Sequence, residues 1–186
     1  MPLQRLSRRA LAARLADLPV HAEDTATAAL IARLGAVRRR RAFSRAELLL
    51  MASWKSARAR PHYLRNSPAL VRAVSRAALA ARSERQRMAH LTRLAGVSIP
   101  VASAILTLID PRRYGVLDIR VWQLLHALDP TIGNPRGRGF TIGHWEEYLA
   151  RLRGQAQRRG ITARAMEWAL LHAHRALQQG RLYDPP

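Results

Sequence analysis

Gly96 separates two runs of helical periodicity, and that break constrains the chain more than any other feature. Met88, Leu91 and Leu94 before it and Val97 just past it fall at helical spacing. After it, residues 99–109 form a small, apolar stretch with Pro100 placed for a first helical turn. Glycine takes the backbone of a tight reversal without steric cost, so a helix, a hairpin and a second helix are predicted across about residues 84–109. Such a turn exposes successive backbone N–H groups, and the second helix adds the positive end of its dipole. Gly96, Val97, Ser98 and Ile99 therefore form a dock for phosphate that requires no side chain and reads no base sequence.

The rest of the chain is helical in pattern. Apolar residues recur every three or four positions in 3–18 and 25–37, and no sustained alternation suggests a sheet. Ser44-Arg45-Ala46-Glu47 is a capping box that opens a helix expected to end by Arg60, before Pro61. Ser67-Pro68 starts the next helix with a cap and a proline at its first position. Ser83-Glu84 leads into the hairpin. Val121, Trp122, Leu124, Leu125 and Leu128 mark a buried helix after Asp118, followed by a turn-rich stretch at 131–139. Helices over about 143–159 and 162–179 complete a single all-α unit of 1–186, or two closely packed helical lobes with the chain ends meeting in one of them.

The charge names the class of partner. Thirty-two basic residues stand against 12 acidic ones, a net charge of +20, and this field concentrates a polyanion at the surface. DNA or RNA is the expected partner. No long apolar span or typical signal peptide is evident, so a soluble, cytoplasmic, nucleoid-associated protein is expected and a membrane is not. The absence of cysteine excludes disulfides and thiolate-held iron–sulfur clusters. The seven histidines are dispersed without H-E-x-x-H spacing, and no phosphate-binding loop or dinucleotide fingerprint occurs. Metal, ATP and NAD chemistry are thus not indicated.

Leu94-Ala95-Gly96-Val97-Ser98, the small-residue helix, and Leu117-Asp118-Ile119-Arg120 at the start of the next helix together resemble the helix-hairpin-helix DNA glycosylase superfamily. The likeness is to the endonuclease III and 8-oxoguanine DNA glycosylase type, without an iron–sulfur cluster, and covers about residues 84–128. It implies a glycosylase-like helical bundle, a duplex partner with a flipped base, and the catalytic aspartate role for Asp118. It also permits a monovalent cation at the hairpin carbonyls; no other cofactor is expected. Two positions depart from the pattern. Ser98 replaces the second hairpin glycine, and Pro100 stands where bifunctional members carry their imine-forming lysine, so a monofunctional enzyme is implied.

Asp118 has a plain reading as a helix N-cap, and the two roles are compatible. The helix dipole keeps such a carboxylate ionised, and an ionised carboxylate beneath a flipped sugar stabilises an oxocarbenium-like transition state. Lys55 is the single lysine beside 31 arginines. An amine retained in that background suits a nucleophile or base, which arginine cannot be, although a surviving surface lysine explains it as well. Arg38, Arg39, Arg40 and Arg41, expected between two helices, together with Arg58 and Arg120, are candidate DNA contacts. Arg60, Arg65, Arg112, Arg113, Arg136 and Arg138 are further ones. Trp54 and Trp122, with Tyr63 and Tyr114 behind them, are candidate walls for an extruded base, and each also suits a hydrophobic core.

The reading is a DNA-binding base-excision glycosylase that hydrolyses the N-glycosidic bond of a damaged or modified base. Its alternative is a non-enzymatic helix-hairpin-helix DNA-binding protein that has lost turnover. A basic RNA-binding protein is a third reading, distinguished by preference for structured RNA.

Overall fold

In the computed structural model, which describes residues 7–178, every regular element is helical. In chain order they are α1 (Arg8–Ala16), α2 (Thr25–Arg40), α3 (Arg45–Ser56), α4 (Arg60–Tyr63), α5 (Pro68–Ala80), α6 (Glu84–Leu91), α7 (Ile99–Ile109), α8 (Ile119–Leu128), α9 (Ile142–Arg158) and α10 (Ala163–Leu177). Local chemistry sets the starts of these helices. Ser7, Asp24, Ser44, Ser67, Ser83, Asp118, Thr141 and Thr162 each accept a backbone N–H from the first turn they precede. Ser44 and Glu47 complete the expected reciprocal box.

The core is organised around α7. All residues from Val101 to Ile109 are buried, and α2, α3, α6 and α9 pack against this helix. Its small side chains allow that close surround, since Ala102, Ser103 and Ala104 occupy little volume. Ser103 has a second task. Its hydroxyl donates to the Pro100 carbonyl at 2.7 Å and accepts the Leu117 N–H at 2.8 Å, fastening the segment before Asp118 to the hairpin's second helix.

The ends of the described chain meet. α1 packs on α8, the Trp168 indole donates to the Ala22 carbonyl at 3.2 Å, and Arg164 pairs with Glu23 across 141 positions.

Several boundaries differ from the sequence reading. The first helix covers 8–16 rather than 3–18, and residues 1–6 lie outside the described residues, as does Gln179 at the expected end of α10. Arg38, Arg39 and Arg40 are not in a loop. They form the last turn of α2, where cations complement the dipole, and Arg41 ends it with a left-handed φ of 51°. α3 ends at Ser56, before Arg60 and Pro61 as expected, but a 3-10 turn at Ala57–Ala59 and a further short helix follow it, with Pro61 in the first turn of α4. α6 ends at Leu91, so Leu94 and Val97 are buried from the turn itself.

Candidate active site and nucleic-acid interface

Lys55 and Asp118 come together where two helix ends meet. Lys55 lies in the last turn of α3 and Asp118 is the N-cap of α8, so each charge opposes the partial charge of its own helix terminus. Lys55 Nζ donates to Asp118 Oδ2 at 2.8 Å, while the Arg120 backbone N–H donates to Oδ1 at 2.9 Å. Both carboxylate oxygens are thereby fixed. The side chains are 21% and 23% exposed, so the pair is shielded yet open to solvent.

Burial alone pushes the Asp118 carboxyl up. The Lys55 ammonium, the Arg120 N–H and the Arg120 guanidinium outweigh that effect and hold it below the ordinary carboxylate range. Arg120 thus contributes through its backbone and its field, whereas the ion pair is made by Lys55. An ionised, oriented carboxylate of this kind can stabilise positive charge that develops beside it.

Behind the pair lies a buried ionic layer that sequence reading missed. Arg164 bonds both Glu23 oxygens, at 2.6 and 2.9 Å, and also Glu167. Its guanidinium stands 5.6 Å from the Trp54 ring and 4.7 Å from the Trp168 ring. Burial pushes the Glu167 carboxyl up, with Arg164 opposing that shift, and the charges of Asp118 and Lys55 reach it. Gly115 makes this packing possible, because a Cβ there would meet Glu167 Cβ at 2.7 Å and Leu152 Cδ2 at 2.5 Å. His174 is fully buried, neither ring nitrogen has a hydrogen-bond partner, and desolvation lowers its pKa to about 4. The sequence signal was a polar interruption of an apolar stripe: Ala163, Glu167, Leu170 and His174 share one face of α10, and all are buried.

The aromatic candidates separate. Trp54 is half-buried beside Lys55, and its indole donates to Thr27 Oγ1 at 3.0 Å. Trp122 is 1% exposed, with its indole donating to the Asn134 carbonyl at 2.8 Å and its ring packed edge-on against Phe140 and His144. The expectation that Trp122 walls an open pocket is therefore corrected: it belongs to the core. Tyr63 and Tyr114 are buried as well.

The hairpin forms with one left-handed residue, Gly96 at φ 82°. Ser98 is extended at φ −78°, so the replacement of the second glycine introduces no strain. A Cβ on Gly96 would meet His62 Cβ at 2.7 Å and Tyr63 Cδ1 at 2.9 Å. Buried Asn66, another residue missed in the sequence, fastens the turn. Its amide donates to the carbonyls of Tyr63 at 2.9 Å and Ala95 at 3.1 Å and accepts the Ala95 N–H at 2.8 Å. Ser98 makes no side-chain cap, which leaves the first-turn donors of α7 without that partner. Within the dock, Val97 N–H is already used by the Leu94 carbonyl at 3.0 Å, and its side chain is buried. Gly96 and Ser98 are exposed and Ile99 is half-buried.

The arginine candidates do not gather in one place. Arg58 is exposed in the 3-10 turn just after Lys55, and Arg120 follows Asp118. Arg38, at the far end of α2, lies 3.6 Å from Asp110, and Arg40 is tied to Glu47. Arg39 and Arg41 are exposed. Among the described residues, no group of three or more metal-ligating side chains occurs and no helix is long and apolar enough to cross a membrane. No known protein family, curated protein or solved structure matches this chain.

Proposed function

We propose that this protein is a monofunctional DNA glycosylase that hydrolyses the N-glycosidic bond of a damaged or modified base, with Asp118 as the catalytic residue and Lys55 positioning it. The observation that carries the reading is the 2.8 Å contact between Lys55 and Asp118, made next to a glycine hairpin whose second helix also anchors the Asp118 segment through Ser103. In a glycosidic hydrolysis, positive charge grows on the sugar as the base leaves. Asp118, held ionised and oriented by Lys55 and the Arg120 N–H, faces that charge and orients water toward the anomeric carbon. The backbone N–H groups of the exposed residues Gly96 and Ser98 and the dipole of α7 dock a strand phosphate, and the +20 charge draws the duplex to the surface.

Lys55 serves here as a protonated ammonium. An amine engaged in an ion pair lacks the free electron pair needed to attack a sugar carbon, and Pro100 supplies no substitute. Trp54 is the aromatic best situated to meet an extruded base, since it is half-buried and adjoins Lys55 in the chain. The test is single-turnover base release from labelled duplexes carrying alkylated, oxidised, deaminated or mismatched bases. Release from one class supports the enzyme and names its substrate class. Tight duplex binding without release from any of them favours the DNA-binding protein without turnover.

A further inference from the structure

We propose that the cavity between the end of α2, the start of α3 and the outer face of α5 is a phosphate-binding site. It is open to solvent on one side and has a volume of about 370 Å³, and Arg40, Phe43, Ser44, Glu47, Arg72 and Arg76 line it. Three guanidinium groups thus face a single carboxylate, leaving a formal charge of +2. That carboxylate is already committed: one Glu47 oxygen pairs with Arg40 and the other accepts the Ser44 N–H at 2.8 Å. Arg72 and Arg76, one turn apart on α5, have no ion-pair or hydrogen-bond partner for their guanidinium groups among the described residues.

The cavity has a fixed floor. Ser75, fully buried between those two arginines in sequence, accepts the Phe43 N–H at 3.1 Å, and its one hydroxyl proton is shared between the Arg72 carbonyl at 3.1 Å and the Phe43 carbonyl at 3.3 Å. The Phe43 N–H bond to Ser75 ties the α2–α3 connection to α5 and seats Phe43, which is 1% exposed, as an apolar floor. Arg40 is oriented by its own bond to the Ala42 carbonyl at 3.0 Å. A rigid apolar floor ringed by planar guanidinium forks suits the tetrahedral oxygens of phosphate, which such forks bind bidentately.

Two sources supply this chemistry, a DNA backbone and a small free phosphate. Only the choice of DNA rests on the function proposed above. Ser44 at the cavity and Lys55 at the other end of α3 are separated by a helix length of about 16 Å, which spans about five phosphates of rise along one strand. A duplex engaged at Asp118 therefore extends far enough to reach the cavity.

The test uses the full chain and its Arg72→Gln/Arg76→Gln variant, with pyrophosphate binding followed by calorimetry and duplex binding followed across salt concentrations. The expected result is pyrophosphate affinity at least about tenfold weaker in the variant, with the salt slope for duplex reduced by about 1–2. Loss of pyrophosphate binding with an unchanged duplex slope supports the site and assigns it to a free phosphate. Equal pyrophosphate binding by parent and variant, or none by either, overturns the proposal even if the duplex slope falls, because removing surface charge alone lowers that slope. If the glutamine pair does not fold, Arg72→Lys/Arg76→Lys keeps the charge and removes the forks. Weaker pyrophosphate binding by that pair supports the site, and equal binding overturns it. Base release plays no part in these readouts, so failure here and failure of the glycosylase reading are separable.

Discussion

Lys55 Nζ and Asp118 Oδ2 lie 2.8 Å apart although 63 positions of sequence separate them. The pair links the C-terminal end of one helix to the N-terminal end of another, and its first consequence concerns pH. The folded Asp118 carboxyl titrates below its ordinary value of 3.8, so it contributes stability above that pH and loses it as pH falls through the folded value. In Lys55→Gln, the carboxyl loses the ammonium that most opposes its desolvation. The acid limb of base release should move to higher pH, stability at neutral pH should fall by about 1 kcal/mol, and Lys55→Arg should keep the acid limb near the parent's. Rate profiles and urea melts of the three proteins measure this, and an unmoved acid limb in Lys55→Gln contradicts the positioning role.

Covalent trapping tests the protonation state of the same pair. Borohydride added during incubation with an abasic duplex should give no protein–DNA adduct, because the ion-paired ammonium is not a nucleophile. An adduct that disappears in Lys55→Arg would make Lys55 an imine-forming amine and the enzyme bifunctional.

The hairpin turn tolerates no side chain at Gly96. Alanine there meets both a left-handed φ and the overlap with His62 and Tyr63, and should cost about 2 kcal/mol or more. Asn66→Ala removes three hydrogen bonds, two of them to Ala95 in the turn, and should cost about 1–3 kcal/mol. Both variants should bind duplex more weakly than the parent in a fluorescence anisotropy titration at fixed salt. Parent-like stability and affinity in both would remove the turn from the interface.

His174 predicts an opposite response to mutation. Its folded pKa of about 4 lies below the ordinary 6.5, so the unfolded chain takes up the proton first and stability falls as pH drops from 6.5 toward 4. His174→Leu removes two buried ring nitrogens that lack partners. It should raise the unfolding midpoint at pH 7 by an amount equivalent to about 1 kcal/mol and flatten the loss between pH 6.5 and 4. A variant less stable than the parent at both pH values contradicts this reading.

The elements most legible in the sequence are those decided by local chemistry. Ser67-Pro68 opens α5, Ile99 to Ile109 forms α7, and the Ser44–Glu47 box starts α3, because caps and proline act within one turn of chain. Asp118 and Lys55 were identifiable singly, from spacing after the hairpin and from rarity, but their contact depends on tertiary packing that brings the end of α3 to the start of α8 across 63 positions. The Arg164–Glu167–Glu23 layer and the Asn66 staple are less legible, since each joins residues far apart in sequence. Trp122 illustrates the limit for aromatics: periodicity places it on a buried helix face, and only the packing of Phe140 and His144 over it excludes a pocket wall.

Asp118→Asn is the most direct test, made by single-turnover base release and duplex binding on the substrate that the parent processes. Asparagine also caps α8 and preserves shape, so it removes the charge while leaving the helix start in place. The expected result is release slowed by at least about a hundredfold with duplex affinity and folding retained. Full release by Asp118→Asn would contradict a catalytic carboxylate at this position.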